Sequence, residues 1–157
     1  MAERDFEELL RLFNKHGVRY CVVGAYAVAF HARPRYTKDM DILVEPSIEN
    51  GQKIVGALRE FGFGSLQLSP EDFENPGRVV QLGYEPLRVD LLTSIKGSPF
   101  KQIYKNRVSG SYGNQRTFFI GRDDLIHNKK LVNRRQDQAD AETLRLQAPV
   151  PKKRKPR

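Results

Sequence analysis

The stretch from Tyr20 to Val44, YCVVGAYAVAFHARPRYTKDMDILV, limits what this chain can fold into. The apolar run Tyr20-Cys21-Val22-Val23 stops at Gly24. Small and apolar residues follow, among them Ala25, Ala27, Val28 and Phe30. A basic loop with His31, Arg33, Arg35 and Lys38 then leads to Asp39-Met40-Asp41 and into Ile42-Leu43-Val44. The pattern predicts strand, glycine turn, helix, loop, strand. Side chains alternate along a strand, so Asp39 and Asp41 project together while Met40 points the other way. Two aligned carboxylates facing a glycine turn suit a divalent metal held against phosphate. Magnesium takes oxygen ligands, and the N–H groups at a helix start favour anions.

The sequence Val23-Gly24-Ala25, then thirteen residues, then Asp39-Met40-Asp41-Ile42 resembles the signature of the nucleotidyltransferase superfamily, whose best-known member is DNA polymerase beta. The wider run Arg33-Pro34-Arg35-Tyr36-Thr37-Lys38-Asp39-Met40-Asp41 is similar to the small bacterial branch, which includes the nucleotidyltransferases of abortive-infection and toxin–antitoxin systems. The resemblance covers residues 5 to 146, and its most diagnostic motifs lie in the first third. It implies an α/β (α+β) fold, a small mixed sheet flanked by helices, with a long C-terminal helix. It also implies transfer of a nucleoside monophosphate from an NTP to an acceptor hydroxyl, with two Mg²⁺ ions.

Within that resemblance the Asp39 and Asp41 pair binds the metals. A third acid on a neighbouring strand helps bind one metal and accepts the acceptor's proton. Asp90, in Leu87-Arg88-Val89-Asp90-Leu91-Leu92, is the only later acid set in an apolar strand, so it takes that role. Gly24 and Ala25 would aim backbone N–H groups at the β- and γ-phosphates. Arg35 would hold phosphate or stack near the base, and Lys129 would reach a distal phosphate. Arg134 or Arg135, Asp137 and Asp140 would form ion pairs fixing the last helix to the core. The acceptor stays open among a protein hydroxyl, a tRNA end and a small molecule such as an antibiotic. A cognate toxin or antitoxin partner fits the same setting. Ala25 stands where many active members carry Gly or Ser and offers no hydroxyl to a phosphate. It motivates a second reading, a catalytically degenerate fold that binds a partner protein or RNA.

Composition narrows the classes. A chain of 157 residues with 39% hydrophobic and 29% charged residues suits one globular domain, expected over residues 1–147. No apolar run approaches the ~20 residues that span a bilayer. The start, MAERDFEELL, has acids where a signal peptide has a basic region, so the expected location is the cytoplasm. The single Cys21 agrees with a reducing compartment and reads as a small buried hydrophobe. The net charge is +8, but Lys152, Lys153, Arg154, Lys155 and Arg157 supply five of those charges, which leaves +3 for residues 1–151. That is weak support for a polynucleotide groove. Residues 148–157 read as a disordered basic tail.

The remaining pattern predicts a helix over residues 4–16 with Phe6, Leu9, Leu10 and Phe13 on one side and Gly17 as its stop. Ser47 would cap a helix over Ile48–Phe61 that ends at Gly62. Val79–Leu82 and Leu87–Leu92 would form a hairpin, followed by a helical turn near Pro99–Tyr104 and a strand over Thr117–Ile120. One helix is expected from Arg122 to Leu146, with an inward stripe of Leu125, Lys129, Val132, Gln136, Ala139 or Asp140, Thr143 and Leu146. Lys129 interrupts that stripe, so it either snorkels to the edge or reaches into a cleft. His31 reads as a structural histidine.

Overall fold

The computed structural model describes residues 2–32, 39–84 and 87–147. Arg35, expected to touch nucleotide, and the basic tail 148–157 lie outside the described residues. Helix α1 (Ala2–Lys15) leads to strand β1 (Tyr20–Val23), helix α2 (Gly24–His31) and strand β2 (Asp39–Val44). Helix α3 (Ile48–Phe61), the hairpin β3 (Val79–Tyr84) and β4 (Leu87–Leu92), and short helix α4 (Phe100–Lys105) follow. The chain continues with β5 (Val108–Tyr112), β6 (Gln115–Phe119), α5 (Arg122–Val132) and α6 (Arg135–Leu146).

The strands make one mixed sheet in the order β3-β4-β2-β1-β6-β5. Outer pairs β3–β4 and β5–β6 are antiparallel hairpins, and β1–β2 is also antiparallel. β2–β4 and β1–β6 are parallel. Parallel neighbours need a crossover, and α3 supplies it between β2 and the β3–β4 hairpin. Strand β1 is buried at all four positions, as its unbroken apolar run predicts. Its Tyr20 hydroxyl, inaccessible to water, donates to Asn14 Oδ1 at 3.0 Å and accepts from Phe118 N at 3.4 Å. Cys21 is buried beside it, and burial pushes its thiol pKa up, in keeping with a packing role.

Local signals place α3 as expected. Ser47 Oγ accepts from Asn50 N, and Gly62 ends the helix with φ of +108°. Strand β5 escaped the sequence reading. Its residues Val108-Ser109-Gly110-Ser111-Tyr112 are small and polar. The turn at Gly113, with φ of +59°, is the signal that joins it to β6.

The C-terminal segment, expected as one helix, is divided at Asn133, which adopts a left-handed conformation with φ of +58°. Asn tolerates this conformation better than most residues. Asn133 Oδ1 also accepts from Gln138 Nε2 at 2.9 Å, and Asp137 Oδ2 accepts from Arg134 N at 3.2 Å to restart the helix. The break shifts the helical phase. Leu125 and Lys129 are buried as expected, but beyond the break the inward residues are Asp137, Asp140, Ala141 and Leu144. Leu146 is 74% exposed.

Replacing Asn133 with Ala separates the two arrangements. Ala favours an unbroken helix but disfavours the left-handed position. Asn133→Ala is therefore expected to lower unfolding free energy by about 1 kcal/mol. A rise in stability in urea melts would argue for a continuous helix instead.

Candidate active site

Strand register brings the predicted acids together. In the parallel pair β2–β4, Asp41 is the partner of Asp90 and Asp39 is the partner of Arg88. All four side chains share one face, because positions two apart on a strand point the same way. On the other face Met40, Ile42 and Leu91 are fully buried and Val89 is 7% exposed, which anchors the strands beneath the acids.

The glycine turn meets the same spot. Val23 pairs with Asp41 across β1–β2, so Gly24 lies beside the carboxylate. Gly24 has φ of +68°, and a Cβ there would overlap Asp41 Oδ2 and lie 3.2 Å from Asp41 Cγ. Glycine is thus required twice, for conformation and for space. α2 starts here with no side-chain cap, and the first N–H groups of a helix lack intrahelical acceptors and favour anions.

Crowding three acids has an electrostatic consequence. Burial first, and then the charges of Asp90 and Asp39, raise the Asp41 pKa to about 6, while Lys129 and Arg88 pull the other way. Asp90 Oδ1 is buried without a hydrogen-bond partner among the described residues. An all-carboxylate donor set with an orphaned buried oxygen fits a hard divalent cation such as Mg²⁺. Among the described residues, however, no three acids, histidines or cysteines stand close enough together to hold a metal ion as they are, so the carboxylates would have to draw in around one. Arg88, which sequence reasoning passed over, stands between the outer two. Its Nη2 lies 3.4 Å from Asp39 Oδ2 and 3.2 Å from Asp90 Oδ2. Its signal was present in the sequence: it sits two positions before Asp90, on the same strand face.

Lys129 is 6% exposed and forms ion pairs with Asp137 Oδ1 at 3.3 Å and Asp140 Oδ2 at 3.2 Å. Its charge still acts on Asp41. Arg134 Nε reaches Asp137 at 2.6 Å, so Asp137 serves two cations. The Arg134–Asp137 pair is of the kind expected from the sequence; the two pairs of Lys129, expected instead at a distal phosphate, were not foreseen. His31 is structural: it is 4% exposed, its Nε2 lies 2.7 Å from the Ile120 carbonyl, and burial lowers its pKa. A cavity of about 420 Å³ lies elsewhere, lined by residues including Leu9, Leu12, Phe63, Leu82 and Val89. It contains none of the three acids, so the chemistry is better sought at the carboxylates than in the cavity.

No protein-family model and no curated protein matches the chain. Solved structures do. A lincosamide antibiotic adenylyltransferase, LnuA, bound to lincomycin, superposes with a TM-score of 0.57 at 14% identity, over 93% of this chain and 98% of that one. The chain has the nucleotidyltransferase fold. ANT(2")-Ia in complex with adenylyl-2"-tobramycin gives a TM-score of 0.56 at 8% identity, over 90% of this chain and 86% of that one. A nucleotidyltransferase-like protein from Paracoccidioides brasiliensis gives 0.57 at 10% identity, over 91% and 75%. Among the described residues, no helix of this nucleotidyltransferase fold is long and apolar enough to cross a membrane.

Two stability measurements probe the site. The folded pKa of Asp41 lies above its ordinary value, so the native state binds that proton more tightly, and stability falls as pH rises through about 6. Asp41→Asn removes this effect. In chelator it is expected to stabilise the protein by about 1–2 kcal/mol above pH 7, with little gain at pH 4. An equal gain at both pH values would contradict the crowding. Lys129→Met leaves Asp137 and Asp140 buried without their shared cation. It is expected to cost about 3 kcal/mol in denaturant melts, and a neutral result would mean that the pairs are dispensable.

Proposed function

We propose that the chain is a divalent-metal-dependent nucleotidyltransferase that moves a nucleoside monophosphate from an NTP to a hydroxyl of a small-molecule acceptor. The observation that carries this reading is the register that sets Asp41 beside Asp90 under the Gly24 turn. The choice of a small acceptor draws on the similar structures, which by name are an antibiotic adenylyltransferase and a complex with an adenylylated antibiotic.

Asp39, Asp41 and Asp90 would hold the metal. When bound, Mg²⁺ supplies charge neutralisation of the triphosphate and activation of the attacking hydroxyl. The chain's own residues do the rest. Backbone N–H groups of Gly24 and Ala25 bind phosphate oxygens at the start of α2. The orphaned Asp90 Oδ1 takes the proton of the acceptor hydroxyl as its oxygen attacks the α-phosphorus. The new bond joins acceptor oxygen to phosphorus, and the bond to pyrophosphate breaks. Pyrophosphate leaves with the electron pair. Lys129, held by Asp137 and Asp140, contributes positive charge near Asp41 without leaving its ion pairs. Arg35 belongs to the same reading as a phosphate or base contact.

A second reading, a fold that binds a partner protein or RNA without catalysis, is favoured by Arg88 lying across two of the acids and by Ala25 in the turn. Labelled ATP with Mg²⁺ separates the two. The arms are a panel of aminoglycosides and lincosamides and a cell lysate. The lysate arm covers tRNA and protein acceptors, including those of a toxin–antitoxin or phage-defence setting. Transfer to an acceptor is expected, with Asp90→Asn lowering turnover by about 10²–10⁴-fold. No labelled product in any arm, or transfer untouched by Asp90→Asn, removes the enzyme reading.

A further inference from the structure

The acid face of β2 and β4 is a two-by-two patch. Asp39 faces Arg88, and Asp41 faces Asp90. One cation therefore sits among three anions. Its Nη2 bridges Asp39 Oδ2 and Asp90 Oδ2 at 3.4 and 3.2 Å, which places a positive charge between these two carboxylates. Asp39 and Asp90 are also two of the three carboxylates that would hold a divalent ion, and the other oxygen of Asp90, Oδ1, is buried without a hydrogen-bond partner among the described residues. A guanidinium and a metal ion compete at these two carboxylates, because both are cations and repel each other at such short range. The Arg88 side chain is 31% exposed, so part of it meets solvent. Its planar fork of N–H donors matches phosphate oxygens as well as it matches carboxylates.

We propose that Arg88 is the built-in counter-ion of this site. It neutralises Asp39 and Asp90 when no metal is bound, yields them to the incoming divalent ion, and then pairs with the phosphates of the NTP. The proposal rests on the metal reading above and adds a role for a residue outside the acid group. It makes metal and nucleotide binding mutually supportive. The metal alone must displace an ion-paired arginine, whereas a triphosphate gives that arginine a new partner. The coupling runs both ways, as linkage requires.

The test titrates Mn²⁺ into the full chain, read by the loss of free-ion signal in electron paramagnetic resonance. Wild type, Arg88→Gln and Arg88→Lys are compared with and without saturating α,β-methylene-ATP. Without nucleotide, Arg88→Gln is expected to bind Mn²⁺ about tenfold more tightly than wild type, because the competitor is gone. With nucleotide, that advantage disappears, since wild-type Arg88 is by then engaged by phosphate. Equal or weaker Mn²⁺ binding by a folded Arg88→Gln without nucleotide overturns the proposal. So does an advantage that nucleotide leaves undiminished. If the Gln variant does not fold, the wild type decides by itself: Mg²⁺ should shift the Arg88 side-chain nitrogen resonance, and an unmoved resonance overturns the displacement. Mn²⁺ bound equally by all proteins removes only the role of Arg88. Mn²⁺ bound by none, with or without nucleotide, removes the metal site as well.

Discussion

Two parallel strands hold like charges side by side, and the rest of the structure is arranged around that arrangement. Asp41 and Asp90 are register partners, and Asp39 lies on the same face. Repulsion between facing carboxylates disfavours such pairing. The strands keep it because their opposite face is buried: Met40, Ile42 and Leu91 are inaccessible to water. Burial of one large apolar side chain contributes about 1.5–3 kcal/mol, so a few of them outweigh the electrostatic cost at Asp41. The sheet therefore acts as a clamp that holds charge in a concentrated, poised state.

Positive groups approach that charge from different directions, and their constraints differ. Arg88 comes from within the sheet and reaches Asp39 and Asp90 directly. Lys129 comes from α5 and is fixed by two acids of α6, so it can act on Asp41 only through space. An arginine that is 31% exposed is partly open to solvent. A lysine enclosed between two carboxylates is a fixed background charge. Both are cations near one site, but Lys129 is enclosed by two buried acids and Arg88 is paired with acids nearer the surface.

Most of the fold was legible because its signals are local. Gly24 ends β1, Ser47 caps α3, and the period of two in β2 aligns Asp39 with Asp41. The acid grouping was legible too, because alternation and an apolar strand around Asp90 suffice to put the residues on one face. Three features were not. Strand β5 has no apolar alternation to announce it, and its edge position asks for none. The division at Asn133 depends on one residue tolerating a left-handed backbone, and helical periodicity on both sides masks it. The partner of Arg88 depends on which strand lies next to β4. That is a tertiary fact, and only the β2–β4 register supplies it.

The division at Asn133 also fixes an order of events. Lys129 precedes it, and Asp137 and Asp140 follow it. When the chain emerges from a ribosome, the acid face and the lysine appear first, and the residues that neutralise the lysine appear later. Without α6, the Lys129 ammonium would lack both of these carboxylates. The charge balance felt by Asp41 therefore depends on how α6 packs against α5, a contact remote in sequence from the acids themselves.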